Sequence, residues 1–73
     1  MSADEELLTR IGQRCRQLRR KAGLSQLDMV RAHHFSLSHY QKLERGDLDP
    51  RLSTLQRLAD AFGVSLAQLL RDM

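Results

Sequence analysis

The chain has 73 residues, enough for one small domain whose folding buries only about 60% of the surface of the unfolded chain. Its single cysteine, Cys15, excludes an internal disulfide, and no apolar run reaches the roughly 18 residues of a membrane span or resembles a signal peptide, so we expect a cytoplasmic protein. Aliphatic residues dominate over two Phe, one Tyr and no Trp, which favours an all-α fold.

The formal net charge of +3 is unevenly distributed. Residues 7–45 carry nine bases against two acids, whereas residues 1–6 carry three acids and residues 46–73 carry three bases against four acids. Such a basic stretch has two interpretations: the solvated face of an amphipathic helix, or a surface for a polyanionic partner. The elements that follow along the chain favour the second interpretation.

The first predicted helix runs from about Asp4 or Glu5 to Ala22, before Gly23. Its evidence is one apolar stripe at helical spacing, formed by Leu7, Ile11, Cys15, Leu18 and Ala22. We interpret Cys15 within this stripe as a small core residue and not as a reactive thiol. Residues 1–6 are predicted to be a frayed acidic N-terminus, and residues 7–73 a single domain.

Two short helices with a very short turn are predicted between residues 25 and 46. Ser25 precedes a helix that begins near Gln26, and Asp28 lies at the position that completes a capping box. Ser36 is a second N-cap, and Gly46 ends the second helix. This arrangement is a helix-turn-helix, in which the second helix covers about residues 36–45.

Two further helices are predicted after a loop at residues 47–51 that contains the only proline. The fourth helix has an apolar stripe formed by Leu52, Leu55, Leu58, Ala59 and Phe62, closed by Gly63 with Val64 in a Schellman motif. Ser65 and Gln68 form a capping box for a short fifth helix. The pattern predicts five helices around one core.

The residues of the two-helix segment resemble those of the Xre-like (phage repressor and Cro-like) helix-turn-helix domains. The resemblance is carried by Leu24, Ser25, Gln26, Ser36, Ser38, Glu44, Arg45 and Gly46, and it continues through Asp49, Pro50 and residues 55–70. It implies a compact five-helix bundle of the phage-repressor type with a central helix-turn-helix. The implied function is sequence-specific binding of double-stranded DNA as a transcriptional regulator, with the helix at residues 36–45 in the major groove.

The turn departs from this family, because His33 and His34 stand where the family has Leu and Gly. We expect His33 to point inward and His34 to adopt a positive φ. A metal site is not expected from His33, His34 and His39, since adjacent histidines project in different directions. No nucleophile with a base or carboxylate pair appears, so we predict no enzyme activity, no cofactor and no small-molecule ligand.

The resemblance also implies roles for individual side chains. Base edges are expected to meet Leu37, Ser38 and Lys42, with Gln41 near the phosphates or the bases. Phosphates are expected to meet Gln26, Arg45 and Arg14 or Arg10, although periodicity alone does not settle which arginines of the first helix face DNA. Arg19 and Glu44 match a structural ion pair of the family.

Two further expectations concern partners. The alternative to a DNA-binding domain is a protein-interaction module, an antitoxin or adaptor that docks a protein through Leu37 and Tyr40. A homodimer that binds an inverted-repeat operator is expected, because one recognition helix reads only about four base pairs. The apolar residues proposed for the dimer interface are Val64, Leu66, Leu69 and Leu70; alternatively, these residues only close the core of a monomer.

Overall fold

The computed structural model describes residues 3–71, which form five helices and no strand. In chain order the helices are α1 (Ala3–Lys21), α2 (Gln26–His33), α3 (Leu37–Arg45), α4 (Leu52–Phe62) and α5 (Leu66–Leu69). The all-α, five-helix prediction is therefore confirmed. Residues 3–6, within the segment predicted to fray, form the first turn of α1, while residues 1, 2, 72 and 73 lie outside the described residues.

The helix starts follow the predicted caps. The Ser25 hydroxyl accepts a hydrogen bond from the Asp28 N–H at 3.0 Å, and the Asp28 carboxylate accepts one from the Ser25 N–H at 2.7 Å. Ser65 and Gln68 repeat this reciprocal pattern before α5, and the Ser36 hydroxyl accepts from the His39 N–H before α3. Each cap satisfies backbone donors that the first turn of a helix leaves free.

The core lies between α1, α3 and α4 and contains side chains from every helix. Its buried apolar residues are Ile11, Cys15, Leu18, Met29, Phe35, Tyr40, Leu43, Leu55, Leu58, Ala59, Phe62 and Leu69. Three residues of the predicted stripes are instead exposed: Leu7, Ala22 and Leu52. Each is the first or last residue of its stripe: Leu7 lies near the start of α1, Ala22 follows the last residue of α1, and Leu52 is the first residue of α4.

Helix α1 lies directly against α3, and Gly12 makes this close approach possible. A Cβ atom at Gly12 would lie 2.6 Å from the carbonyl oxygens of Leu43 and Glu44, closer than packed atoms tolerate. The backbone of α1 therefore touches the backbone of α3. This contact fixes which side of α1 lies beside the helix-turn-helix.

The short helix α5 closes the core of its own domain. Leu69 is 1% exposed, and Val64, Leu66 and Leu70 are half-buried against the core. The inclusion of Leu69 in a dimer surface is thus corrected, since a side chain already enclosed by its own domain is not free for a partner. So short a helix depends on this packing for its stability.

Candidate nucleic-acid interface

The turn between α2 and α3 has the backbone conformation expected of it. His34 has φ 61° and ψ 37°, in the left-handed region, as the sequence predicted. His33 is half-buried. Residues 34–36 therefore connect the two helices, and Ser36 is the N-cap of α3.

Helix α3 has a buried inner face and an exposed outer face. Tyr40, Leu43 and Glu44 are buried. Leu37, Ser38 and Lys42 are exposed, so three of the four side chains expected to read bases are accessible. The burial of Tyr40 removes it as an anchor for a docked protein, so that part of the alternative interpretation is corrected.

A buried carboxylate connects α1, α2 and α3. The Glu44 side chain is fully enclosed, and its two oxygens accept hydrogen bonds from Nε of Arg19 at 2.6 Å and from its second terminal nitrogen at 3.1 Å. Arg16 donates to the same carboxylate at 3.4 Å. The ion pair implied by the resemblance is present, in the bidentate geometry that suits an arginine and a carboxylate.

The charge on Glu44 is maintained by its surroundings. Burial alone would raise the pKa of Glu44, but the hydrogen bond from Arg19, with the nearby Tyr40 hydroxyl and the Gln26 amide, lowers that pKa below its ordinary value. The same hydrogen bond raises the pKa of Arg19. The pair is therefore ionised at neutral pH.

Glu44 also sets the orientation of two glutamine side chains. An ionised carboxylate only accepts hydrogen bonds, so the Gln26 amide nitrogen must face Glu44, where the donor and acceptor lie 3.1 Å apart. The Gln26 oxygen then accepts from the Gln41 amide at 3.3 Å. Gln41 is consequently half-buried and tied to the start of α2, and it is not fully exposed like Ser38 and Lys42.

An open cleft of about 560 Å³ lies between α1, the start of α2 and the start of α3. Its lining combines basic side chains of α1 with the first residues of the two helices: Arg16, Arg19, Arg20, Ser25, Gln26, Leu27, Leu37 and Gln41. Arg16 and Arg20 were not among the expected site residues. Helical spacing was the available signal, because Arg16 lies one turn before Arg19, which the resemblance already placed facing Glu44.

The two arginines of α1 that were expected to contact phosphates lie outside this cleft. Arg10 and Arg14 are each two positions from Gly12, and so lie about 160° around the helix from the contact with α3. Arg14 donates to the Gln68 carbonyl at 2.9 Å and holds α5, while Arg10 lies 3.5 Å from Glu6. Their assignment to the helix-turn-helix face is corrected, since Arg16 and Arg20 occupy that side.

Gln26 and Arg45 are the other two residues expected to contact phosphates. Gln26 stands at the start of α2 inside the cleft, and Arg45, at the end of α3, is exposed and 3.2 Å from Asp47. Among residues 3–71, no group of three or more His, Cys, Asp and Glu side chains is arranged to hold a metal ion. Within the same range, no helix combines the length and apolarity needed to cross a membrane.

The five-helix fold and the exposed side chains of α3 are those of a helix-turn-helix protein. The sequence pattern of the helix-turn-helix domain matches residues 10–71, and the chain belongs to this family.

Three curated relatives carry names that describe regulators. The chain is 38% identical over 61 residues to the HTH-type transcriptional regulator DdrOP3 of Deinococcus deserti, and 39% identical over 59 residues to the uncharacterized HTH-type transcriptional regulator y4dJ of Sinorhizobium fredii. It is 30% identical over 62 residues to the immunity repressor protein of Bacillus phage phi105. The matches cover 84%, 81% and 85% of this chain, but 47%, 77% and 43% of the relatives, so the chain spans about half the length of two of them.

Proposed function

We propose that this chain binds double-stranded DNA in a sequence-specific manner and acts as a transcriptional regulator, without catalysis and in the cytoplasm. The observation that carries the proposal is the outer face of α3, where Leu37, Ser38 and Lys42 are exposed beside a cleft lined by arginines. The major groove admits one α-helix. The names of the three relatives agree with this function.

The exposed side chains of α3 match the chemistry of base edges. Lys42 can donate to O6 and N7 of guanine, and the Ser38 hydroxyl can donate or accept. Leu37 offers an apolar surface of the kind that packs on a thymine methyl group. Gln41, held by Gln26, lies one turn after Leu37 and contributes through the groups that the hydrogen bond leaves free.

The cleft supplies contacts to the DNA backbone. The N-terminus of a helix favours a phosphate, and Gln26 is the first residue of α2. Arg16 and Arg20 bring positive charge from α1 to the same cleft, and Arg45 adds charge at the far end of α3. These groups position α3 on the duplex, and the base contacts then select the sequence.

Selection of bound sites from random duplex DNA tests this function. We expect the wild-type chain to enrich one motif. Lys42→Ala should weaken binding to that motif by about 1–3 kcal/mol and relax the preference at one base pair, as loss of a base contact does. Arg10→Ala is the matched control, because it removes a positive charge on the far side of α1. Recovery of no motif by the wild-type chain would contradict the proposal.

A protein-docking module is the alternative, and it depends on an apolar surface. Of its two expected anchors, Leu37 is exposed and Tyr40 is buried at 1% exposure. The other exposed residues of α3 are polar or charged, namely Ser38, His39, Lys42 and Arg45. Hydrogen-bonding groups in these positions favour DNA over an apolar partner.

We further propose that the chain acts as a homodimer on an inverted repeat with half-sites about ten base pairs apart, because dimers of this motif place two recognition helices about one helical turn apart. The remaining surface for the contact consists of the half-buried Val64, Leu66 and Leu70. Sedimentation of the wild-type chain and of Leu66→Glu tests this interface. A wild-type chain that remains monomeric at micromolar concentration, alone and on DNA, would contradict it.

A further inference from the structure

Helix α2 ends differently from three other helices of the domain. After α1, α3 and α4, a glycine adopts the left-handed conformation, and it and the next residue donate to two separate carbonyl oxygens. After α2, the left-handed residue is His34, and the N–H groups of His34 and Phe35 both point to the single carbonyl of Met29. The last carbonyls of α2 therefore need partners from outside the turn.

Arg57 of α4 supplies a partner for the last of these carbonyls, that of His33, and for the His34 carbonyl that follows it. One terminal nitrogen of its guanidinium donates to the His33 carbonyl at 2.8 Å and to the His34 carbonyl at 3.3 Å. These two carbonyls belong to the two peptide groups on either side of the His34 Cα atom. The guanidinium thus restrains both peptide planes that define φ and ψ of His34, a residue for which the left-handed region is strained.

A ring contact extends this restraint to α3. The guanidinium carbon of Arg57 lies 4.3 Å from the centre of the Phe35 ring, in cation–π geometry. Phe35 is buried, and its ring meets the Tyr40 ring edge-on at 5.7 Å between centres. Tyr40 stands on the inner face of α3. Arg57 is therefore linked through Phe35 to the helix that presents Ser38 and Lys42.

We propose that Arg57 is a positioning residue that fixes the angle at which α3 leaves α2, and thereby the affinity for a preferred DNA sequence. This inference rests on the proposed function of α3. Arg57 acts through the backbone of the turn and the Phe35 ring. It replaces, by a side chain from α4, the conformational preference that a glycine at position 34 would provide.

The test compares Arg57→Ala with the wild-type chain on two duplexes, the selected site and an unrelated sequence, at a temperature where both proteins are folded. We expect about a tenfold loss of affinity for the selected site, which lies within the range of interaction energies between neighbouring residues. On the unrelated sequence we expect the affinity to change by less than about twofold. Arg57→Lys, which keeps the charge but loses the planar group, should lose affinity to an intermediate degree. Gln56→Ala, the neighbouring exposed residue of α4, is the control.

A second experiment tests whether Arg57 acts through the conformation of His34. In the His34→Gly background, Arg57→Ala should cost less than about threefold in affinity, because glycine adopts the left-handed conformation without help. Equal losses with and without His34→Gly would overturn the proposal. Equal losses on the two duplexes would also overturn the proposal, because Arg57 would then be a phosphate contact. A lower unfolding temperature of Arg57→Ala with unchanged affinity would overturn it as well.

Amide hydrogen exchange separates failure of this inference from failure of the proposed function. Arg57→Ala should accelerate exchange at the His34 and Phe35 amides in the absence of DNA, while the Gly63 and Val64 amides at the end of α4 serve as an internal reference. A wild-type chain that prefers no duplex would contradict the function, whereas unchanged exchange in the turn would overturn the role of Arg57.

Discussion

The two sides of α1 carry the same kind of residue and use it differently. On the side that touches α3, Arg19 is buried against Glu44, and Arg16 and Arg20 line the cleft beside the recognition helix. On the other side, Arg14 binds the Gln68 carbonyl of α5, and Arg10 faces solvent near Glu6. A count of positive charge therefore does not distinguish the two sides of α1, whereas the angular position of each arginine relative to Gly12 does.

Breaking the buried pair should have the largest effect. Arg19→Ala leaves the Glu44 carboxylate enclosed without its bidentate partner, and we expect a loss of about 3–5 kcal/mol in the free energy of unfolding. Urea denaturation followed by circular dichroism measures it. Arg10→Ala, on the exposed side of α1, should change the unfolding free energy by less than about 0.5 kcal/mol. Similar losses for the two variants would remove the distinction between the two sides.

The same pair should make stability depend on pH in the acid range. The pKa of Glu44 is lower in the folded chain than its ordinary value of 4.5, so its contribution is fully present above that value and is lost as pH falls through the folded pKa. Denaturation midpoints measured between about pH 6 and about pH 3 should fall in the wild-type chain. A slope as steep in Glu44→Gln would assign the acid sensitivity to other groups.

Removal of the arginines in the cleft should weaken DNA binding without unfolding the chain. For the double variant Arg16→Ala, Arg20→Ala, we expect about a tenfold loss of affinity on every duplex. The dependence of affinity on salt concentration should weaken by the amount that corresponds to about two lost phosphate contacts. Titrations at several salt concentrations measure both quantities. The control is Arg10→Ala, which removes one charge instead of two. A loss of about threefold there, half of the expected effect on the logarithmic scale, would mean that only net charge matters.

Removal of the hydrogen bond between α1 and α5 should have a smaller effect. Arg14→Ala removes a hydrogen bond from a charged group to the Gln68 carbonyl, and we expect a loss of about 1 kcal/mol in the free energy of unfolding with unchanged DNA affinity. Thermal unfolding and DNA titration of the same variant measure these two effects. A large loss of affinity with unchanged stability would return Arg14 to the phosphate-binding side.

Local features of this fold were predictable from the sequence, because they depend on residues three or four positions apart. Ser25 with Asp28 and Ser65 with Gln68 form the expected capping boxes, and Gly63 with Val64 ends α4 as expected. Their physical cause lies within one turn of helix. The same holds for the outward position of Ser38 and Lys42 on α3.

Features that depend on packing between distant elements were not predictable in this way. Periodicity places Arg14 and Arg16 on different sides of α1 but does not state which side meets α3, and the close approach at Gly12 decides it. The role of Arg57 is similar, since it is separated by 24 residues from His33, whose carbonyl it binds. Charge and spacing give no signal for a contact of that kind.

Base reading by α3 is tested by the affinities of the wild-type chain, Lys42→Ala and Arg10→Ala for all single-base variants of the selected site. If the outer face of α3 reads base edges, Lys42→Ala should lose discrimination at one base pair and keep it at the others. Arg10→Ala should preserve the whole pattern. A Lys42→Ala chain with every preference intact, or with a uniform loss like that of a phosphate contact, would contradict base reading by α3.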